Sequence, residues 1–574
     1  MPFKFLGFRI SSISARFRFP DTATGLVLCL LVGIVAGLGA VAFRRLISLF
    51  QHIFFDQGAH LSAFLGHYYI ILMPIAGGLL IGPMIYFLAR EAKGHGVPEV
   101  MEAVTLEGGR IRPIVALVKT VASSLCIGSG GSVGREGPIV QIGSSFGSTI
   151  GQWLKLSTEQ IQMLVACGAA GGIAATFNSP IAGALFALEI ILRRVITPRF
   201  AYVILSAITA DYVASFFLGD KRMFEVPQFH LVSPVEIFLY AFLGLVAAFI
   251  AVAFIRAVYR CEDLFDAIKM PEYLKPAVGG IVIGLIGLYN INLLGLGYTE
   301  IESILTTSTS IWLLLSLCIL KIVATSFTLG SGGSGGIFSP SLFIGAMLGT
   351  AIGGIFHKFL PIDIGPSGAY GIVGMAAVFS AATRAPFTSV IIVFEMTRDY
   401  NIILPLMAAV SISTMLSSVL SQGTIYTTKL LRRGIDIEHV QLSETMHTIT
   451  VGEAMTRHFT TVPTSMPLKE LMALFRKTGR HGFPVVDEQG LLTGIVTQTD
   501  FEQSLGRNKS ELTAGDIATR SLFVAYPDQP LSKILRSQEQ KHDLIPVVKR
   551  HDTQRLVGIL RPYDVIRAYY KKTQ

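Results

Sequence analysis

The stretch Lys119–Gly143, KTVASSLCIGSGGSVGREGPIVQIG, returns at Lys321–Gly345 as KIVATSFTLGSGGSGGIFSPSLFIG, displaced by 202 residues. The lysine, the Gly-Ser-Gly-Gly-Ser run, a proline and a glycine coincide. A second pair agrees: Pro180 and Glu189 in FNSPIAGALFALEI match Pro386 and Glu395 in RAPFTSVIIVFEM, nine residues apart in each copy. The chain is an internal duplication, so its architecture must be built twice. Where two halves carry Gly/Pro-broken hydrophobic segments at corresponding positions in a membrane chain, the transport site lies at the repeat interface.

A membrane setting follows from composition. The 574 residues are 51% hydrophobic and 15% charged, with mean hydropathy +0.58, too apolar for a soluble globular chain. The uncharged runs Thr22–Phe43 and Tyr400–Thr428 each exceed the roughly 20 residues that cross the hydrocarbon core as a helix. Further apolar stretches lie near 57–89, 111–127, 161–188, 200–219, 237–255, 274–300, 311–320 and 340–356. Several are short or interrupted, which predicts helices that tilt or stop halfway. Lys4, Arg9, Arg16 and Arg18 make residues 1–22 a basic N-terminus that faces the cytoplasm, and the first apolar run lacks a small-residue cleavage site. The net charge of +9 reflects such basic flanks, and no nucleic-acid partner is implied. Cys29, Cys126, Cys167, Cys261 and Cys318 sit in or beside apolar segments without paired spacing, so they read as packing residues and not as metal ligands or disulfides.

The apolar pattern ends near Arg432-Arg433-Gly434. We place a transmembrane domain at 23–430, its repeats at approximately 23–220 and 234–430, and a linker at 431–447. The soluble tail holds a second duplication: HGFPVVDEQGLLTGIVTQTDF (481–501) corresponds to DLIPVVKRHDTQRLVGILRPYDV (543–565). Each copy reads as helix, strand (FPVV, IPVV), turn, strand (TGIV, VGIL) and a helix opened by Asp. These units resemble a tandem of cystathionine-β-synthase (CBS) domains, at 448–505 and 511–574.

In Gly128–Pro138 the glycines let the backbone approach a ligand, and Pro138 suits the first position of the following helix. Amides exposed at a helix start attract anions. Gly336-Ile337-Phe338-Ser339-Pro340 repeats the device without a charge. Two such starts meeting in the membrane hold an anion weakly enough to release it, as conduction requires. Gly94-His95-Gly96-Val97-Pro98-Glu99 is a third glycine-rich turn before a helix.

These motifs together resemble the CLC family of chloride channels and chloride/proton exchangers: its GSGIP, GREGP and GxFxP elements match 94–98, 134–138 and 336–340, and its central tyrosine matches Tyr426 in IYTTKLLRRG. The resemblance implies an all-α multi-pass membrane protein of two inverted repeats, followed by an α/β cytoplasmic CBS pair. It further implies a homodimer in the cell membrane with one anion pathway per subunit. Glu136 is then the gating glutamate, whose carboxylate competes with chloride until protonation removes its charge; the bland alternative pairs it with Arg135 or leaves it in a solvated loop. The anion-binding set is His95, Gly134, Arg135, Gly336, Ile337, Phe338 and Tyr426, with Ile337 and Phe338 offering amides and Tyr426 a hydroxyl; an interfacial aromatic is the bland reading of Tyr426.

Two departures matter. Chloride-transporting members carry Ser at the position of His95, nitrate-selective ones Pro and fluoride-selective ones Met. A histidine lacks the hydroxyl, although its ring donates from one nitrogen when neutral and senses pH when it titrates; that the ring turns away and only backbone participates stays equally open. Proton-coupled members usually carry two consecutive acids. Here Glu189 is followed by Ile190, which carries no proton, and this favours a channel over an exchanger. For Glu189 and Glu395 the preferred reading is structural: they cap helices or bind nearby basic groups.

In the tail, Thr497 and Asp500, with Asp564 of the second copy, mark where CBS units hold the ribose and phosphate of an adenine nucleotide; CBS pairs also serve as purely structural contacts, and both readings stand. No cofactor is required for transport. No metal-ligand cluster, Walker loop or nucleophile triad supports an enzyme, and a cation carrier would need carboxylates or carbonyls where this chain places helix starts.

Overall fold

Gly and Pro punctuate the helices of the computed structural model much as they punctuate the sequence. The structure describes residues 21–574 except 62, 194–199, 220–222, 225–228, 230, 308, 438–448, 479, 481, 506–511, 521, 537–543, 562–563, 566, 569–571 and 573–574. The basic N-terminal residues Lys4, Arg9, Arg16 and Arg18, and most of the 431–447 linker, lie outside the described residues. Two compact units divide at Ile435 and Asp436.

The first unit is helical. Its first half runs α1 (Asp21–Gln51), α2 (Tyr69–Leu88), α3 (Val97–Leu106), α4 (Pro113–Gly128), α5 (Glu136–Trp153), α6 (Thr158–Phe177), α7 (Pro180–Phe186, continued as a π turn Ala187–Ile191) and α8 (Phe200–Leu218). Its second half answers in order with α9 (Glu236–Ala267), α10 (Lys275–Tyr289), α11 (Tyr298–Thr306), α12 (Ile311–Gly330), α13 (Phe338–Phe359), α14 (Ser367–Thr383), α15 (Pro386–Thr397) and α16 (Ile403–Leu420). A short α17 (Thr427–Arg432) follows. Among the described residues, nine helices are long and apolar enough to cross a membrane.

Local chemistry sets the boundaries. Proline lies in the first turn of α3, α4, α7, α10 and α15, where no internal amide partner is lost. Pro138 and Pro340 do not begin their helices, because α5 starts at Glu136 and α13 at Phe338; as third residues they still fall among the amides a helix leaves unpaired. The apolar run 161–188 is cut by Asn178, left-handed at φ 55°, and Arg384 makes the same break at φ 54° between α14 and α15. The tilted pairs α5/α6 and α13/α14 close on glycine: a Cβ at Gly143 would stand 2.1 Å from the Gly168 carbonyl oxygen, and one at Gly345 2.3 Å from that of Gly374. Small residues let membrane helices approach this closely.

The two halves are inverted repeats. Equivalent residues Gly134 and Gly336 form an antiparallel bridge, donating to each other at 2.7 and 2.6 Å. A two-fold relation brings equivalent atoms together in this way.

In the tail, β1 (Val462–Pro463), β2 (Gly482–Val486) and β3 (Leu492–Thr497) form one sheet in that order, and β4 (Ile545–Lys549) pairs with β5 (Asp552–Leu560). The leading segment of each CBS unit is lent to the other. Thr456 bonds Ile559 of β5 in both directions, at 2.9 and 3.1 Å, while Thr519 bonds Ile495 of β3 at 2.8 and 3.0 Å. Accordingly Ile449, Val451 and Ala454 are buried with Val547 and Leu560, and Ala514 with Val485 and Val496. The two units of the tail are therefore consecutive in sequence but interlocked in packing.

Candidate functional site

Two buried lysines shape the centre. Lys119 on α4 donates to the carbonyls of Ala92 and Gly94 at 3.0 and 2.7 Å, and Lys321 on α12 donates to those of Leu293 and Gly295 at 3.1 and 3.0 Å. Each clamps a Gly-x-Gly turn before a helix: Gly94-His95-Gly96 leads into α3 and Gly295-Leu296-Gly297 into α11. All four glycines have positive φ, between 61° and 85°, where a side chain would be strained. Ser123 and Ser334 bond across the repeats at 2.8 Å. The starts of α3, α5 and α13 are thus drawn together, with Gly134 on Gly336 at the seam.

Glu136 is the first residue of α5 and is buried. Its Oε1 accepts from the hydroxyl of Tyr298; Ser339 Oγ lies 2.9 Å from the same oxygen and 2.7 Å from the tyrosine oxygen, so its single proton serves one or the other. Oε2 accepts from the Ser339 backbone amide at 3.3 Å. The carboxylate therefore sits at the start of α13, on an amide where a small anion would be received. Arg135 turns away from it, donating to the Thr176 carbonyl at 3.0 Å.

Ile337 and Phe338 are buried at the same start, with the Phe338 ring 4.8 Å from Phe177 and 4.2 Å from Phe379. Tyr426 is buried between the end of α16 and the start of α17. His95 is 3% exposed. Its ring lies 6.3 Å from Tyr426 and 6.4 Å from Tyr259, and its Nδ1 has no hydrogen-bond partner among the described residues. Tyr259 itself is spent on the Ile425 carbonyl at 2.5 Å. Below His95, Glu99 and Lys429 form a buried ion pair at 2.6 Å.

Tyr298 and Ser339 are the residues that motif reading missed. The signal was present: G-x-G-x-x-E occurs at 94–99 and again at 295–300, placing Tyr298 opposite Val97. Tyr298 also lines a cavity of ≈ 370 Å³ shared with Arg44, Gln51, Arg135, Asn178 and Met223, so the residue that donates to Glu136 also borders this vestibule.

Glu189 and Glu395 cap helices, and they do so reciprocally. Glu189 accepts from the amides of Phe387 and Thr388 at the start of α15, at 3.2 and 2.8 Å; Glu395 accepts from Ile181 and Ala182 at the start of α7, at 3.1 and 2.8 Å. Ile190 is buried in the π turn. In the tail, Asp500 Oδ2 accepts from the amide and hydroxyl of Thr497 at 2.8 and 2.7 Å. Asp564 is buried and accepts from Thr456 and Arg561.

The sequence pattern of the voltage gated chloride channel family matches residues 77–418, and that of the CBS domain matches 451–506 and 514–571. A putative chloride channel protein (ClcB-like) of Ralstonia nicotianae is 34% identical over 71% of this chain and 96% of its own. The chloride channel protein CLC-f of Arabidopsis thaliana is 29% identical over 96% and 81%, and the H(+)/Cl(-) exchange transporter ClcA of Yersinia pestis is 32% identical over 71% and 87%. Among solved structures, a slow cyanobacterial Cl-/H+ antiporter superposes with TM-score 0.64 at 24% identity, over 71% of this chain and 97% of that one. A eukaryotic CLC transporter gives 0.64 at 21%, over 95% and 98%.

Proposed function

The chain belongs to the voltage gated chloride channel (CLC) family, and on that footing we propose that it passes chloride passively down its electrochemical gradient, with Glu136 as the gate. The observation that carries the passive reading is Ile190. It is buried and apolar where proton-coupled relatives usually carry a second acid, and a side chain without a titratable atom relays no proton.

The gate role is supported by competition at one helix start. The Glu136 carboxylate accepts the Ser339 amide, and a chloride ion at that place would need the same amide. Protonation weakens the carboxylate as a competitor and lets it swing into the vestibule. Beyond the gate, the starts of α5 and α13 and the Tyr426 hydroxyl receive the ion, with His95 beside them. Both central lysines are committed to carbonyls, so neither is offered to the ion as a fixed cation that would trap it. We further assign a homodimer in the cell membrane, with the N-terminus and CBS pair cytoplasmic, and an adenine nucleotide at Thr497 and Asp500 as regulator.

Proton movement in sealed proteoliposomes under an imposed chloride gradient, with the potential clamped by potassium and valinomycin, tests the passive reading. Chloride flux without proton flux is expected. Uphill proton flux would make the protein a chloride/proton antiporter, like the exchangers among its relatives, with a residue other than Ile190 carrying the proton.

A further inference from the structure

Tyr298 belongs to none of the motifs that identify the pathway, yet its hydroxyl donates to the gate carboxylate. We infer that Tyr298 is a latch: its hydrogen bond holds the Glu136 carboxylate closed and thereby sets the pH at which the gate opens. The inference rests on the gate reading of Glu136.

The placement of Tyr298 is built, not incidental. Lys321, fully buried, fixes the Leu293–Gly295 carbonyls; Gly297 turns the chain at φ 77°; and Tyr298 follows as the first residue of α11. A Cβ at Gly297 would stand 2.7 Å from the Phe343 ring, so the turn is packed from the far side as well. The Arg135 guanidinium lies 5.3 Å from the centre of the Tyr298 ring, and Phe224 packs edge-on against it at 6.0 Å. These contacts hold the ring so that its hydroxyl meets Oε1, while the ring itself borders the ≈ 370 Å³ vestibule.

The charged and titratable groups around the gate come from every neighbouring element. Arg135 precedes it on the α5 start, and Arg44 of α1 and Asp211 of α8 line the vestibule. Lys321 of α12 is bound to the Leu293 and Gly295 carbonyls behind the turn that presents Tyr298, and Tyr426 is buried before α17. Among the described residues, Tyr298 and Ser339 hydrogen-bond to the Glu136 side chain. A donor to a carboxylate stabilises its charged form, so removing the tyrosine hydroxyl makes the carboxylate easier to protonate and the gate easier to open. The sign follows: the variant opens at higher pH than the parent.

Chloride efflux from proteoliposomes, measured over a series of symmetric pH values for the parent, Tyr298→Phe, Glu136→Gln and the double variant, tests this. Tyr298→Phe keeps the ring and its stacking on Arg135. Its half-maximal opening is expected about one pH unit higher, a tenfold change in proton concentration, as loss of one charge-assisted hydrogen bond predicts. In the Glu136→Gln background the same change is expected to alter flux by no more than about twofold. That background also reports folding, since an open gate conducts whenever the protein is intact. An unchanged profile in Tyr298→Phe, or an equal effect in both backgrounds, overturns the latch. Persistent pH dependence in Glu136→Gln overturns the gate reading itself, and the latch with it.

Discussion

Glu189 and Glu395 each close the first turn of the other's partner helix: Glu189 caps α15, on which Glu395 lies, and Glu395 caps α7, which leads into Glu189. The duplication is thereby tied at two equivalent points, each carboxylate meeting two amides that the helix itself leaves unpaired. A double role in proton transfer is unnecessary to explain either residue. Glu189→Ala and Glu395→Ala are each expected to destabilise the protein by about 1–3 kcal/mol through the amides left without acceptors. Thermal unfolding in detergent would register this, and the pH profile of chloride flux should stay where it was. A displaced profile in Glu189→Ala alone would return that residue to the transport path.

Replacing the carboxylate of the proposed gate by an amide imitates its protonated form in charge. Glu136→Gln is expected to raise chloride flux at neutral pH and to abolish its rise on acidification, because the group whose protonation opens the path is gone. The sign is fixed by the competition: lower pH removes the carboxylate charge in the parent, so acid activates. Efflux measurements across a pH series check it, and a parent profile in which acid closes the path would contradict the mechanism.

The crossing of α5 and α6 has no room for a methyl group. A Cβ at Gly143 would fall 2.1 Å from a backbone oxygen, whereas one at Gly39 meets side chains alone, the Phe146 ring at 3.4 Å and the Ile142 methyl at 3.8 Å. Gly143→Ala must therefore push two buried helices apart, at a cost of roughly 1–3 kcal/mol or more. Gly39→Ala should be neutral or mildly stabilising, since alanine favours a helix over glycine. Unfolding temperatures of the two variants against the parent decide the matter, and equal losses would mean that glycine serves the helices for some reason other than close approach.

Much of this architecture was legible because duplication and punctuation are written locally. The 202-residue offset makes Gly134 and Gly336 equivalent, and Glu136 is legible as an acid beside glycines at a helix start. What escaped depends on partners distant in sequence. Tyr298 looks like an aromatic in a turn until Lys321 and Gly297 aim it at a carboxylate 162 residues earlier. Helices α14 and α15 were passed over because glycine, serine and threonine dilute their apolar signal, although α14 is buried along its whole length. The exchange of Thr456 and Thr519 between the CBS units was invisible for a similar reason: nothing local in Thr456 says that its strand partner is Ile559 and not a residue of its own unit.

The two tail aspartates occupy corresponding positions but should behave differently. Among the described residues, Asp500 bonds Thr497, which precedes its own helix, and it is half-buried. Asp564 is 4% exposed and ties Arg561 to Thr456, the residue that locks the exchanged strand onto β5. Removing it leaves a guanidinium and a hydroxyl without their shared acceptor, so Asp564→Ala is expected to lower the stability of the tail by about 1–3 kcal/mol. Asp500→Ala should cost less than that and instead weaken adenine-nucleotide binding. Calorimetric titration of the full chain with ATP, run beside its unfolding curve, separates the two effects: undiminished affinity in Asp500→Ala would remove the nucleotide from that position and leave both aspartates as structural residues.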